Sequence, residues 1–367
     1  MNKQKKISQK LRFFIILFSI FMSSYLTASD AQSQSYLNKV AKLGGFGIGY
    51  RIAIQNKYAY ITENEGFIIV DIENPLKLTK VGEFLSDYNG FGIFIQNDLA
   101  FLASAGFGLE IVNISNPMNP FLVGDCYTGG ISSNVYVSGN YAYVSNYETG
   151  LHIIDITNLS NPIEIGGYSV YDRADNVIVV DNVAFVAFPN QGLIVLNVTI
   201  PSSPIYIRTV SFTGGAKGLG IFQNLLFVGC YSSSVIVLDI SIQDNPEILG
   251  VYSDNDEGEA WGVAGNNTHL YIADYYGVEY LDISSLPTIV EKAENRVKIS
   301  SVHDIDFVGN YLFIAGGNIG KACMVFEVSN TQKVNYLWIY IGVPIAVLIV
   351  AILIWRINKI IIKRKKS

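Results

Sequence analysis

GFIIVDIENP, residues 66–75, decides the fold. Four apolar residues run from a glycine to an aspartate and an Asn-Pro turn follows, so the segment reads as a short buried strand that stops at a reversal. It recurs as GLEIVNISNP (108–117), GLHIIDITNLSNP (150–162), GLIVLNVTIPSSP (192–204), SVIVLDISIQDNP (234–246), GVEYLDISSLP (277–287) and a degenerate GKACMVFEVSN (320–330). The residues that end these runs are Asp71, Asn113, Asp155, Asn197, Asp239, Asp282 and Glu327, spaced by 42, 42, 42, 42, 43 and 45 residues. That period is the size of one four-stranded propeller blade. Seven anchors predict an all-β, seven-bladed β-propeller over residues 36–330.

Working outward, each anchor strand is preceded by a hairpin, as in RIAIQNKYAYI (51–61), GIFIQNDLAFL (92–102), NVYVSGNYAYV (134–144) and NVIVVDNVAFV (176–186). Polar Asn, Asp or Gly turns between alternating strands supply the positive φ that a tight hairpin needs. After each anchor a proline-bearing turn leads to a shorter outer strand, such as LTKVGEF (78–84) or FLVGDCY (121–127). The seventh period lacks that outer strand, whereas YLNKVAKLGGF (36–46) has the look of one and precedes the first hairpin. Donating it to the last blade would close the ring and remove an exposed sheet edge.

The runs ending in Asp71-Ile72, Asp155-Ile156 and Asp239-Ile240, with Gly66, Gly150 and Gly192 opening strands, resemble the LVIVD-repeat family, β-propeller-like repeats common on bacterial and archaeal surface proteins. The resemblance implies the fold and brings no general enzymatic activity with it. Asn113, Asn197 and Glu327 depart from the family's aspartate, which fits a turn-capping role better than chemistry.

Composition agrees with a folded extracytoplasmic body. Hydrophobic residues make up 50% of the 367-residue chain and charged ones 15%, which excludes disorder. All 31 acidic residues lie between Asp30 and Glu327, with only 13 basic ones, so the body carries a net charge of −18 and is a poor partner for nucleic acid. The remaining basic residues flank two apolar segments. Residues 1–29 have the layout of a signal peptide or membrane segment, and 337–357 reads as a transmembrane helix followed by a basic tail, 358–367. The positive-inside rule then puts both basic clusters in the cytoplasm and the body outside it, on a single-pass tether.

Propeller ligands are met by loops at one mouth. The connections from an outer strand to the next inner strand place Arg51, Asp175, Glu259, Trp261, His303 and Asp304 there, with Tyr50, Asp172, Arg173 and Lys217 beside them. Connections between second and third strands add Tyr147, Glu148, Tyr231, Asp274 and Tyr275. Aromatic faces among charges suit a peptide, protein or glycan. Trp261 shares the phase of Ile52 and Val135 and so is also a core candidate. Asp254, Asp256 and Glu259 offer oxygen ligands to calcium, although SDNDEGE (253–259) lacks the EF-hand pattern. The three histidines fall at different phases, the three cysteines read as packing thiols, and no nucleophile elbow or phosphate loop occurs. Of four Asn-x-Ser/Thr sequons, Asn158 and Asn266 lie in turns and are the candidate glycan acceptors. The expected function is a membrane-anchored binding or adhesion module without a cofactor, with a metal-assisted hydrolase or lyase and a structural envelope component as alternatives.

Overall fold

The computed structural model describes residues 37–44, 47–170, 172–232, 234–253, 258–274, 277–295, 302–316 and 323–328, all within the unit Ser35–Ser329. The apolar segments at 1–29 and 337–357 and the basic tail lie outside the described residues. Among the described residues no helix is long and apolar enough to cross a membrane.

Seven four-stranded antiparallel sheets follow one another along the chain. Blade 1 shows the pattern: an inner strand Ile52–Gln55, then Tyr58–Glu63, Gly66–Asp71 and the outer strand Thr79–Leu85. The inner strands of blades 2 to 7 are Asn89–Gln96, Ser132–Ser138, Asn176–Val180, Ala216–Phe222, Gly262–Gly265 and Val302–Val308. Each touches the inner strand of the next blade, and the last touches the first, so they form a closed ring.

The local chemistry agrees with that arrangement. Asn56, Asn97, Asp181 and Gln223 open two-residue hairpin turns at φ of 56°, 54°, 53° and 53°, and Gly139 and Gly309 do so at 59°. A positive φ at that position lets the turn follow the right-handed strand twist. The anchor residues cap their turns as expected: the side-chain oxygens of Asp71, Asp155 and Asp239 accept the N–H two residues on, at 2.9, 2.8 and 2.7 Å. Asn113 and Asn197 do the same at 3.1 and 2.9 Å, which explains why amide and carboxylate interchange.

Closure uses the segment picked out by repeat phase. Leu37–Leu43 pairs antiparallel with Cys323–Val328 as the outer strand of blade 7, from Leu37 opposite Val328 to Leu43 opposite Cys323. The core consists of layers between blades rather than one central mass. Phe185, Leu193 and Val195 of blade 4 meet Leu226, Val228 and Ile236 of blade 5, and Ile52, Ile61 and Ile68 of blade 1 meet Phe313 and Val325 of blade 7 across the seam. Each such side chain stabilises the fold by about 1.5–3 kcal/mol. The blades approach so closely that a Cβ added at Gly82 would lie 1.9 Å from the carbonyl oxygen of Pro117 in the next blade. Cys126, Cys230 and Cys323 are buried thiols in these layers, and burial pushes the last two up to about 12.

The phase assigned to Trp261 needs correction. Val263, paired with Ile272, occupies the place that Ile52 and Val135 hold against Ile61 and Val144. Trp261 therefore stands two residues earlier, at the mouth.

Candidate functional site

Two residues before that core position, each blade presents one side chain at the point where the chain enters the inner strand. The seven are Tyr50, Phe91, Ser133, Asp175, Lys217, Trp261 and His303. The loops between second and third strands contribute Tyr147 and Tyr231, and Arg173 precedes Asp175.

These residues form a closed collar. The Tyr50 ring meets Phe91 edge-on at 5.0 Å, and Phe91 meets Tyr147 at 6.5 Å. Arg173 Cζ lies 4.2 Å from the Tyr147 ring and 5.6 Å from that of Tyr231. Lys217 Nζ stands 4.2 Å from the Tyr231 ring and 3.2 Å from that of Trp261. Trp261 packs on His303 at 4.9 Å, and His303 stacks on Tyr50 at 5.5 Å, which returns the circuit to its start. Cation–π contact with partly desolvated rings strengthens each cationic step.

Ion pairs and hydrogen bonds hold the collar. Arg173 Nε donates to Asp175 Oδ1 at 2.7 Å, the Tyr231 hydroxyl donates to Asp175 Oδ2, and Lys217 Nζ pairs with Glu259. Burial pushes the Asp175 carboxyl up, while Tyr231 and Arg173 pull it back. Burial also lowers Lys217 to about 8, against the opposing pull of Glu259. His303 is lowered by burial, and because the Gly49 carbonyl 2.9 Å from Nδ1 can only accept, Nδ1 carries the proton. Ser133, the blade 3 member, instead donates to Ala174 O at 2.7 Å and ties blade 3 to blade 4.

The next residues along form the level beneath. Arg51 Nη1 lies 3.5 Å from Asp304 Oδ1 and donates to Trp261 O at 3.2 Å, and Asn134 Nδ2 donates to Asn176 Oδ1. These four line a cavity of about 200 Å³ together with apolar residues such as Ile93, Tyr136 and Leu219.

The structure brings Arg51, Tyr147, Asp175, Tyr231, Glu259, Trp261, His303 and Asp304 into one network. Three of the other mouth and metal candidates, Tyr275, Asp254 and Asp256, lie outside the described residues. Glu148 is exposed, its N–H bonded to Asn146 Oδ1 at 2.9 Å. Asp274 is 3% exposed, and its Oδ1 accepts the Gly277 N–H at 2.5 Å, so it braces its own loop. Glu259 is engaged by Lys217, and no group of three or more metal-binding side chains occurs among the described residues. Asn158 and Asn266 sit in turns with their side-chain oxygens accepting from Ser160 and Thr268. Phe91 was missed altogether. It falls just ahead of the hairpin read at 92–102, and only alignment with Tyr50 and His303 reveals its place.

A ring of seven blades with a polar and aromatic mouth defines a β-propeller. The chain carries LVIVD repeats: the family model described as LVIVD repeat matches residues 47–86, 92–128, 129–170 and 173–211. No curated protein matches it in sequence. Among solved structures it is similar to the β-propeller domain of Myceliophteria thermophila Cps50 (Swd1), with a TM-score of 0.64 and 10% identity over 80% of this chain and 100% of that one. The WD40 propeller domain of Doa1 gives 0.61 and 11% over 80% and 97%, and the computationally designed Ika8 protein 0.55 and 11% over 79% and 100%. Identities this low establish the fold alone.

Proposed function

We propose that this chain is a membrane-tethered, extracytoplasmic binding module that takes a protein or peptide partner at the collar. One observation carries the reading: side chains from all seven blades meet in a single circuit of aromatic and charged contacts. Isolated solvated loops have no reason to converge in this way, whereas a rigid ring of Tyr, Trp and Arg offers the residue types that dominate binding hot spots. The apolar segment 337–357, followed by basic residues, supplies the tether. Val328 pairs with Leu37, and its N–H bonds the carbonyl of Asn310 in a hairpin turn, so the described strand ends on the face opposite the mouth.

The test uses a soluble fragment, residues 30–334, on peptide and glycan arrays. Tyr147→Ala and Tyr231→Ala should each weaken binding by about tenfold or more, the size expected of a hot-spot aromatic. Asp98→Ala, in a hairpin turn on the other face, should leave it unchanged. Equal binding by parent and correctly melting mouth variants would remove the collar as the site.

A further inference from the structure

Two ion pairs in the collar are layered in opposite senses. In the first the anion is inside: the side chain of Asp175 is 2% exposed and that of Arg173 39%. In the second the cation is inside: Lys217 is 5% exposed and Glu259 37%. An arriving molecule therefore meets a guanidinium at blade 4 and a carboxylate at blade 6. Both outward charges are hung about one ring, since Tyr231 receives Arg173 at 5.6 Å and, at 4.2 Å, the Lys217 that holds Glu259.

A ligand of one sign gains at one pole and is repelled at the other. An anion is further opposed by the acidic body, which sets 31 acidic against 13 basic side chains. A molecule carrying both charges, spaced to match, meets two complementary poles with an aromatic surface between them. The free termini of a two- or three-residue peptide are separated by roughly 7–10 Å. Arg173 Cζ lies 5.6 Å from the Tyr231 ring and Lys217 Nζ, paired with Glu259, 4.2 Å from it, so both poles lie within reach of such a peptide laid across that tyrosine.

Building on the collar as the binding site, we propose that it recognises a short peptide by its two free ends, the carboxylate on Arg173 and the ammonium on Glu259, with Tyr231 between them. The inner partners Asp175 and Lys217 hold the poles in place, so recognition requires no rearrangement of buried charge.

Calorimetric titration of the soluble fragment with Gly-Tyr-Gly in four forms tests this: free-ended, N-acetylated, C-amidated and doubly capped. The free-ended peptide should bind about tenfold tighter than either singly capped form, and the doubly capped form weakest. Glu259→Gln should erase the preference for a free ammonium and keep that for a free carboxylate, while Arg173→Gln should do the reverse. Doubly capped peptide binding as well as the free-ended form would overturn the proposal on the parent protein alone, whether or not the variants fold. So would variants that weaken all four probes equally. Absence of binding by every probe also overturns it, and leaves the wider reading of the collar to the Tyr147 and Tyr231 measurements.

Discussion

Asp306 sits at the seam where blade 7 meets blade 1, its carboxylate accepting the N–H of Ile54 at 3.1 Å and of Phe307 at 2.8 Å. Part of its surface stays open, yet the protein around it and the nearby Asp304 charge raise it to about 7 from the ordinary 3.8. The folded state then keeps a proton that the unfolded chain releases. The stability this group confers is complete below about pH 4 and is lost as pH rises through 7. Asp304 is raised in the same direction, held back by Arg51. Asp306→Asn keeps an acceptor and removes the titration, so urea midpoints of the variant should vary less between pH 4 and 7 than those of the parent. An unchanged slope would assign the effect to another group. Sequence reading reached the residue scale unevenly. The capping role of Asp71 or Asn113 was legible because acceptor chemistry and turn position are both local. The burial of Lys217 under Glu259, and of Asp175 under Arg173, was not, because it depends on which loop crosses above which.

Strands are where the sequence spoke most clearly, since a 42-residue period and a missing seventh outer strand are properties of spacing alone. Blade 6 is the exception. Its third strand, Val278–Ser285, runs past the Asp282 anchor and Ser285 pairs directly with Thr288, so the reversal is tighter than the Asn-Pro turns elsewhere. The closing strand makes the sharpest prediction at this scale. Leu37 is 1% exposed and packs with Val302 and Phe326, while Cys323–Val328 would become a bare edge without its partner. Deleting residues 36–46 from the soluble fragment should produce aggregation in size-exclusion chromatography and a lower melting temperature. A monodisperse deletion with unchanged melting would mean that the ring does not need this strand. The mouth was legible as a set of loops but not as a circuit. Phe91 lies just ahead of the hairpin read at 92–102, and the register that sets Trp261 two residues before its blade's core position shows only in the pairing of Val263 with Ile272.

Across the whole molecule, stability is distributed over repeated blade-to-blade layers, and the ring is covalently continuous everywhere except at one place. There the two ends of the propeller lie side by side, Leu37 opposite Val328 and Asn38 opposite Glu327. That pairing has a mechanical meaning. A load drawing the two ends apart does not shear the closing strands past each other; it peels them, breaking backbone hydrogen bonds one after another from the Leu37 end. Peeling needs far less force than shearing, so the seam acts as the weak link of a chain whose other six joints are protected by connecting backbone. In an optical trap gripping both ends of the soluble fragment, the first event should be a small extension that releases the seven-residue strand Leu37–Leu43 before any blade unfolds. A disulfide introduced as Asn38→Cys with Glu327→Cys, across register partners of an antiparallel pair, should abolish that first step. If it persists, the ring yields elsewhere. If it vanishes, the protein has one designated opening point under tension.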